Sequence, residues 1–466
     1  MNKKYLHLLS FLILGGLILS ACASTSAATE APAAEAASAD SATTDETAAE
    51  APAVEESAAP TCGSDPVVLN AYFETGFDLP FDLAEEFTKQ YPNVTWDIKQ
   101  DQFANLVNET PRLLSGDNPP DLIRLPTMVS FAKQGLLKNL DEYAEAFGWN
   151  EWPVPQLDQN RVGEDGTRGS GSLYAMGLNY SLTGIYYNKE LAAQIGMTEA
   201  PATLAELEDL LAAAKEQDLL PIMQWGSAKS GMGLAFPLQA LMASVGPAEP
   251  INDWINQKAG ATIDTESNLV AAQHLEEWIA NGYFPSDINA IEYTDAVARF
   301  EAGEGVFMFN GDWQNATYDA NMPGNVGFFL MPPAEEGGSP AAMSSPLSFG
   351  IAANAENADC AAFFLNWVAS NQTAREIDVA VGGSNPGGPA DAVMPAVAEG
   401  SVTNETLAAG VVLGKTGSAM DFIANATSAI FAQGWTPELQ KMAGGKQDAA
   451  GMLEAVQAEY LRELEE

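Results

Sequence analysis

From Val67 onward, short apolar runs alternate with amphipathic helical patterns, and this alternation constrains the fold more than any other feature. Val67 to Phe73 has a strand pattern, Pro80 to Tyr91 carries apolar residues at helical spacing, and Val94 to Ile98 alternates as a second strand. Strands that alternate with helices predict βαβ units and a mostly parallel sheet with helices on both faces. Because 466 residues exceed what one hydrophobic core usually holds, we expect two domains.

The charge balance of the chain narrows the choice of partners. Lys and Arg number 20 against 63 Asp and Glu, so the formal net charge is −43. A surface this acidic repels the phosphate backbone, which excludes nucleic acid as a partner. The acidity promotes solubility, and binding of a polyamine or another cation remains an alternative.

The N-terminus has the pattern of a secretory signal. A basic start precedes an apolar stretch from Leu6 to Leu19, which is too short to span a membrane comfortably. The sequence Leu19-Ser20-Ala21-Cys22 then resembles the lipobox of bacterial lipoproteins, in which the cysteine becomes the first mature residue and carries acyl chains. We therefore predict a signal peptide over residues 1–21 and lipidation of Cys22, which anchors an extracytoplasmic protein to the membrane.

Residues 22–65 differ in composition from everything that follows. They are rich in Ala, Ser, Thr, Pro and acidic residues and contain no basic residue, so we predict a disordered tether. Beyond Cys22, the cysteines of the chain are Cys62 and Cys360. An oxidising compartment permits them to pair, but spacing alone does not decide between one disulfide and two free thiols.

Residues that commonly carry catalysis are scarce in this chain. Its 2 histidines are His7, in the predicted signal peptide, and His274, on the polar side of a helical pattern. This excludes zinc sites built on clustered histidines and disfavours a Ser-His-Asp triad. Gly303-Glu304-Gly305 lacks the Lys-Ser/Thr continuation of a phosphate-binding loop. We predict no enzyme activity, no cofactor and no metal, with an extracellular glycoside hydrolase built on a pair of carboxylates as the alternative.

One stretch, ARFEAGEGVFMFNGDWQ, places a tryptophan directly after a buried strand. A helical pattern from Tyr293 to Ala302 ends at Gly303, and Val306 to Phe309 follows as a continuously apolar strand. Trp313 then lies at the carboxyl end of this strand, where ligands bind in open α/β sheets. An indole at this place stacks on the apolar face of a sugar or packs in the core, and the pattern leaves both uses open.

The spacing of Phe300, Gly303, Gly311 and Trp313 resembles the signature of the extracellular solute-binding proteins of family 1. These proteins are the carbohydrate-type binding subunits of ABC importers and are relatives of maltose-binding protein. Phe307 stands where the signature has methionine. Three further segments are similar to the same family, so that the resemblance spans nearly all of residues 66–466: LLSGDNPPDLIRLP, YAMGLNYSLTGIYYNKELAAQIG and SFGIAANAENADCAAFFLNWVAS.

The resemblance implies a fold and a division into lobes. The implied fold is α/β, a two-lobe periplasmic-binding-protein-like fold of type II. Each lobe is a mostly parallel sheet flanked by helices, with the ligand cleft between the lobes. The implied limits are 66–180 with 331–385 for the N-terminal lobe, and 181–330 with 386–466 for the C-terminal lobe.

The resemblance also implies which residues contact the solute. Carried over by position, they are Trp313, Asp312, Trp225, Tyr180, Glu74, Arg124, Ser181, Phe349, Ser384 and Asn385. Ser181 stands where maltose-binding relatives have an acid, which argues against an extended maltodextrin-type groove. The implied function is capture of a mono- or oligosaccharide by a membrane-anchored monomer, which delivers it to the permease of an ABC transporter. A polyamine-binding protein of the same fold is the alternative.

Overall fold

The computed structural model describes residues 59–153, 155–230, 233–416, 419–427 and 429–465. The predicted signal peptide, the predicted lipidation site Cys22 and most of the predicted tether lie outside these residues. Ser57–Glu466 forms one unit by its internal contacts.

The described residues contain ten strands and seventeen α-helices. The strands are β1 Val67–Glu74, β2 Val94–Asp101, β3 Leu122–Arg124, β4 Arg161–Val162, β5 Ser172–Leu173, β6 Ala175–Asn188, β7 Phe307–Gly311, β8 Val326–Phe329, β9 Ala342–Gly350 and β10 Ala419–Met420. The helices are α1 Leu79–Gln90, α2 Phe103–Leu114, α3 Val129–Lys133, α4 Asp141–Ala146, α5 Pro155–Asp158, α6 Lys189–Gln194, α7 Leu204–Glu216, α8 Ala235–Val245, α9 Ala248–Ile255, α10 Glu266–Ala280, α11 Tyr293–Glu301, α12 Asn315–Asn321, α13 Ala358–Ser370, α14 Gln372–Ile377, α15 Val402–Thr416, α16 Thr436–Ala443 and α17 Ala449–Glu465.

Eight of the described strands belong to one continuous sheet. Its order is β2-β1-β3-β9-β6-β7, with β10 paired to β9 and β8 paired to β6. The strands β1, β2 and β3 are parallel, whereas β6 is antiparallel to β7, β8 and β9. The α/β class is confirmed, but the sheet is mixed rather than mostly parallel, because the strands that join the two halves run against their neighbours.

Strand β6 belongs to both halves of the sheet. Its first part, from Ala175 to Leu182, pairs with β9. Its second part, from Thr183 to Asn188, pairs with β7 and β8. The polypeptide therefore crosses between two lobes as one extended strand, and β9 runs beside it in the opposite direction.

Buried apolar residues divide into separate cores on the two sides of this crossing. In the first lobe, two adjoining clusters contain residues up to Leu178 and then residues from Phe349 onward. In the second lobe, one large cluster contains residues between Leu182 and Met343 and then residues from Val402 onward. The predicted limit at residue 180 falls between the two cores. The division on the return path lies within β9, further along the chain than the predicted limit at 331, and we propose β9 as the returning segment.

A disulfide joins Cys62, just before β1, to Cys360 in α13. The two residues are separated by 298 positions, and both are nearly buried at the edge of the first core. Of the two alternatives that the sequence left open, the structure therefore has the disulfide. The bond ties the last residues of the predicted tether to the first lobe.

We expect loss of this disulfide to lower the free energy of unfolding by about 2–4 kcal/mol, because it closes a very long loop in the unfolded chain. The measurement is urea unfolding of the wild-type chain with and without a reductant. The matched control is the Cys62→Ala/Cys360→Ala variant, whose unfolding curve should not respond to the reductant. Identical wild-type curves under both conditions would contradict the expectation.

Candidate functional site

The first lobe directs the carboxyl ends of β1 and β2 toward the second lobe. The register pairs Glu74 with Asp101, the last residues of these two strands. Phe103, which begins α2 directly afterwards, packs edge-on against Phe431 with ring centroids 5.4 Å apart. Phe431 belongs to the core of the second lobe. Side chains at these strand ends therefore lie where the two lobes meet.

Glu74 and Arg124 form an ion pair at this edge, with Arg124 Nε 3.3 Å from Glu74 Oε1. Strands β1 and β3 are parallel neighbours, which places their last residues side by side. The two side chains are only 12% and 14% exposed, and Arg124 Nη1 also donates to the carbonyl of Leu125 at 2.8 Å. The structure thus brings together two predicted contacts, an acceptor carboxylate and a donor guanidinium that both suit hydroxyl groups.

The second lobe contributes a group of five aromatic side chains, called here the aromatic cluster. Its members are Trp225, Phe236, Tyr293, Trp313 and Phe422. Trp225 lies 4.8 Å from Tyr293 and 5.1 Å from Phe236, measured between ring centroids. Phe236 in turn lies 6.1 Å from Trp313 and 5.1 Å from Phe422. The contacts are edge-on or tilted, which is the geometry that aromatic pairs prefer.

Trp313 is held in place at the end of β7 by close contacts. Its indole Nε1 donates to the hydroxyl of Tyr293 at 2.8 Å, and that hydroxyl donates to Gln314 Oε1 at 2.8 Å. A Cβ atom at Gly311 would lie 2.1 Å from the indole ring, so only glycine lets the ring cross the strand end. Trp313 is half-buried, whereas Trp225 is 3% exposed. Of the two predicted tryptophans, Trp313 presents more surface and Trp225 supports the cluster from beneath.

Tyr180 lies on β6 where this strand passes between the lobes. Its hydroxyl donates to the carbonyl of Gln156 at 3.1 Å, and its backbone N–H donates to the carbonyl of Asn385 at 2.8 Å. Gly387 has a φ of +61°, and a Cβ there would lie 2.2 Å from the Tyr180 ring. The predicted contacts Tyr180 and Asn385 are therefore brought together. The left-handed backbone of Gly387 allows the segment that contains Asn385 to approach the Tyr180 ring.

Asp312 ties the crossing segments to each other. Its Oδ2 accepts from the backbone N–H of Leu182 at 3.1 Å, and its Oδ1 accepts from Ser384 Oγ at 2.7 Å. The hydroxyls of Ser181 and Ser384 are 3.3 Å apart. Asp312, Ser181 and Ser384 are all buried. These three predicted contacts do come together, but their polar atoms bond one another, so we expect them to position the crossing strands.

Burial dominates the electrostatics of this crossing. It raises the pKa of Asp312 to about 8, although hydrogen bonds from Ser384 and Leu182 partly oppose the shift. Burial also raises the pKa of Asp378 well above its usual range, and the nearby Asp312 adds to the rise. Asn179 Nδ2 donates to Asp378 Oδ1 at 2.9 Å. An acid that stays protonated at neutral pH acts here as a hydrogen-bonding group without charge.

Phe349 is the register partner of Arg124 in the pairing of β9 with β3, but its side chain lies in the core of the first lobe. It is 1% exposed and packs edge-on against Phe73 in the core of the first lobe, with ring centroids 5.0 Å apart. Its strand, β9, does reach the crossing, but alternate side chains of a strand point to opposite faces. We therefore propose that Phe349 supports the first core and does not contact the solute.

The sequence did not single out Phe236, Tyr293 or Phe422 as parts of the site. Phe236 lies in α8, which is apolar on nearly every side, so its periodicity does not distinguish a surface ring from a core ring. Tyr293 begins the helix that precedes the signature spacing, and its hydroxyl is the bonding partner of the Trp313 indole. The signal available in the sequence was Tyr293 itself, a polar aromatic residue at the start of the helix beside the signature motif.

Two further observations concern metal ions and membrane spans. Within the part of the chain that the structure describes, no group of three or more His, Cys, Asp or Glu is arranged to hold a metal ion. Within the same residues, every helix is too short or too polar to cross a membrane.

The raised pKa of Asp312 makes stability depend on pH. Because the folded chain keeps a proton that the unfolded chain releases, this group makes the free energy of unfolding fall as pH rises from about 4 to about 8. Asp312→Asn should weaken that fall, since the amide stays neutral. The measurement is urea unfolding across this pH range. Asp97→Asn, which alters a half-exposed carboxylate on β2, is the control; equal pH slopes for wild type and Asp312→Asn would contradict the expectation.

Solved structures with the same arrangement of lobes share little sequence with this chain. A chitin oligosaccharide binding protein matches with a TM-score of 0.70 at 19% identity, covering 86% of this chain and 100% of that one. Maltose-bound MalE3 of T. maritima matches with a TM-score of 0.67 at 18% identity, covering 85% and 99%. The solute-binding protein RafE in complex with raffinose matches with a TM-score of 0.66 at 18% identity, covering 84% and 98%. These likenesses establish the two-lobe fold of type II periplasmic binding proteins.

A family model supplies the assignment that structural likeness alone does not. The model described as bacterial extracellular solute-binding protein matches residues 78–375, which include β7, the crossing strand β6 and most of the aromatic cluster. This is more than half of the chain. The protein therefore belongs to the bacterial extracellular solute-binding proteins.

Proposed function

We propose that this protein captures a mono- or oligosaccharide between its two lobes. The observation that carries the proposal is the Trp313 indole, which Tyr293 and Gly311 hold half-buried at the end of β7. A flat apolar ring fixed in this way suits the C–H face of a pyranose ring, and fixing it in advance lowers the entropy cost of binding. Cations such as polyamines also bind aromatic rings, so the polar groups nearby decide between the classes.

The polar groups of the first lobe favour a neutral, hydroxylated ligand. The carboxylate of Glu74 is already matched by the guanidinium of Arg124, so the pair carries no net charge. A cationic ligand would have to compete with Arg124 for this carboxylate. Hydroxyl groups, in contrast, donate to the carboxylate and accept from the guanidinium without breaking the pair.

Relatives support the same class of ligand. Solved structures with this fold include a chitin oligosaccharide binding protein, a maltose-bound protein and a raffinose complex. Each ligand is a saccharide of more than one ring, and each belongs to the protein named. Identity to these proteins is only 18–19% over the aligned chain, so the identity and length of the saccharide for this chain depend on its own cleft residues.

We further propose how the receptor works in the cell. A solute that binds the closed lobes better than the open ones shifts the protein toward the closed state, which an ABC transporter permease then receives. Cys22 carries acyl chains, residues 22–65 serve as the tether, and the monomer works on the outer side of the membrane. Metabolic labelling with an alkyne fatty acid, expected in wild type and lost in Cys22→Ser, tests the anchor.

A thermal-shift screen tests the ligand class. We expect saturable stabilisation by at least one of a panel of mono- and oligosaccharides, because a ligand that binds only the folded state raises the unfolding midpoint. A response to spermidine alone, or to no saccharide, would contradict the proposal. New reducing ends released from a bound oligosaccharide would indicate a glycoside hydrolase instead of a receptor.

Trp313→Ala should weaken binding of the saccharide hit about tenfold, since loss of one stacked ring costs about 1–1.5 kcal/mol. Trp313→Phe should lose less. Titration calorimetry at matched folded fraction measures both. Trp96→Ala removes a half-buried tryptophan from β2, whose ring packs on Phe364 of the first lobe, and should leave affinity unchanged. Equal losses for Trp313→Ala and Trp96→Ala would remove Trp313 from the site.

A further inference from the structure

The hairpin of β4 and β5 carries a loop, residues 163–171, that extends from the first lobe to the second. Both strands of the hairpin are rooted in the first lobe, where Val162 and Leu173 lie in its core clusters. In the loop, the backbone N–H of Arg168 donates to the carbonyl of Asn256 at 3.1 Å. Asn256 is the capping residue directly after α9, a helix of the second lobe. The loop is therefore a bridge between lobes that lies outside the crossing strands.

A buried ion pair forms at the end of this bridge. Arg168 Nη2 lies 2.7 Å from Asp421 Oδ2, and each side chain is only 4% exposed. Asp421 belongs to the second lobe, because Met420 and Phe422 on either side of it are in that lobe's core. Its other oxygen, Oδ1, accepts from Ser345 Oγ at 2.9 Å. Phe422 is also a member of the aromatic cluster, so the ion pair adjoins the proposed binding surface.

The Arg168 guanidinium has hydrogen-bond partners for only some of its polar atoms. Nη2 of Arg168 also donates to the carbonyl of Gln159 at 2.7 Å. Its Nε and Nη1 atoms have no hydrogen-bond partner among the described residues, although both are buried. Removing charges from water costs about as much as their mutual attraction returns, unless every polar atom is satisfied. The unsatisfied atoms add to the cost of burying this pair, so that cost opposes the mutual attraction of the two charges.

We propose that the Arg168–Asp421 pair is a charge clasp that sets the equilibrium between open and closed lobes. When the lobes separate, water hydrates both charges. When they close, each charge loses its water and gains the other as its partner. The clasp rests on the lobes separating to admit a solute and not on which solute binds, so it goes beyond the proposed ligand class.

Single and double substitutions have opposite consequences under this proposal. With Arg168→Gln, the Asp421 carboxylate loses its water on closure and has no cation as its partner. With Asp421→Asn, the Arg168 guanidinium loses its water and has no anion as its partner. Either change disfavours the closed lobes. Arg168→Gln combined with Asp421→Asn removes both charges, so closure again dehydrates no unpaired ion. The two substitutions must therefore compensate each other, which a general loss of packing does not produce.

Distances between the lobes test the clasp directly. Spin labels are placed on cysteines that replace Glu85 in α1 and Asp264 before α10, both exposed, in the full chain with Cys22→Ser and the native disulfide intact. Pulsed electron-spin resonance then gives the distribution of distances without any added solute. Arg168→Gln and Asp421→Asn should each shift it to longer distances, and the double variant should return toward the wild-type distribution.

A control lies within the first lobe, away from the bridging loop. Arg112 pairs with Glu109 at 2.6 Å, and both lie in α2, so Arg112→Gln should leave the distances unchanged. Arg168→Lys keeps the charge, so its distances should stay nearer to wild type than those of Arg168→Gln. This comparison replaces the double variant as the test if Asp421→Asn fails to fold. Single variants with wild-type distances, or a double variant with the sum of the single shifts, would overturn the clasp. The sugar screen is unaffected by either result, so the two proposals fail independently.

Discussion

The antiparallel pairing of β6 with β9 is the constraint on which the rest of the structure depends. Strand β6 is a single run of 14 residues that contributes Met176 to the first core and Ile185 to the second. Its backbone pairing with β9 shifts register between Gly177 and Tyr180, and the strand then pairs with β7 and β8. The two lobes therefore share a sheet. The strand ends that carry Glu74 and Arg124 on one side, and Trp313 on the other, are oriented by that shared sheet.

The polar groups at the crossing and those at the bridging loop offset the free-energy cost of burial in different ways. Asp312 and Asp378 are fully buried, and their raised pKa values favour the protonated, uncharged forms. Neutral acids bind neighbouring strands through hydrogen bonds without dehydrating a charge. Arg168 and Asp421 instead form a buried ion pair where the lobes touch. The crossing is thus held by neutral groups, and the charged contact lies where two surfaces come together.

Local patterns predicted the elements that carry the site. The strand before Trp313, the helix that ends at Gly303 and the first strands of the chain were all found near their predicted bounds. Periodicity succeeds there because it reports which side of an element is buried. It does not report what an element packs against. Phe349 was therefore placed in the cleft although it packs on Phe73, and Phe236 was overlooked although it joins Trp313 to Phe422.

By itself, the sequence determined the α/β class, the membership in a family of two-lobe binding proteins and the position of Trp313 at a strand end. The class and the strand end follow from local spacing, which constrains backbone geometry over a few residues, whereas the family follows from the resemblance of whole motifs. Only the tertiary structure decided that Cys62 bonds Cys360, that β9 pairs with β6 and that Arg168 meets Asp421. Each of these joins residues far apart in the chain. Their pairing is set by how the lobes pack, because no local pattern encodes a distance across the fold.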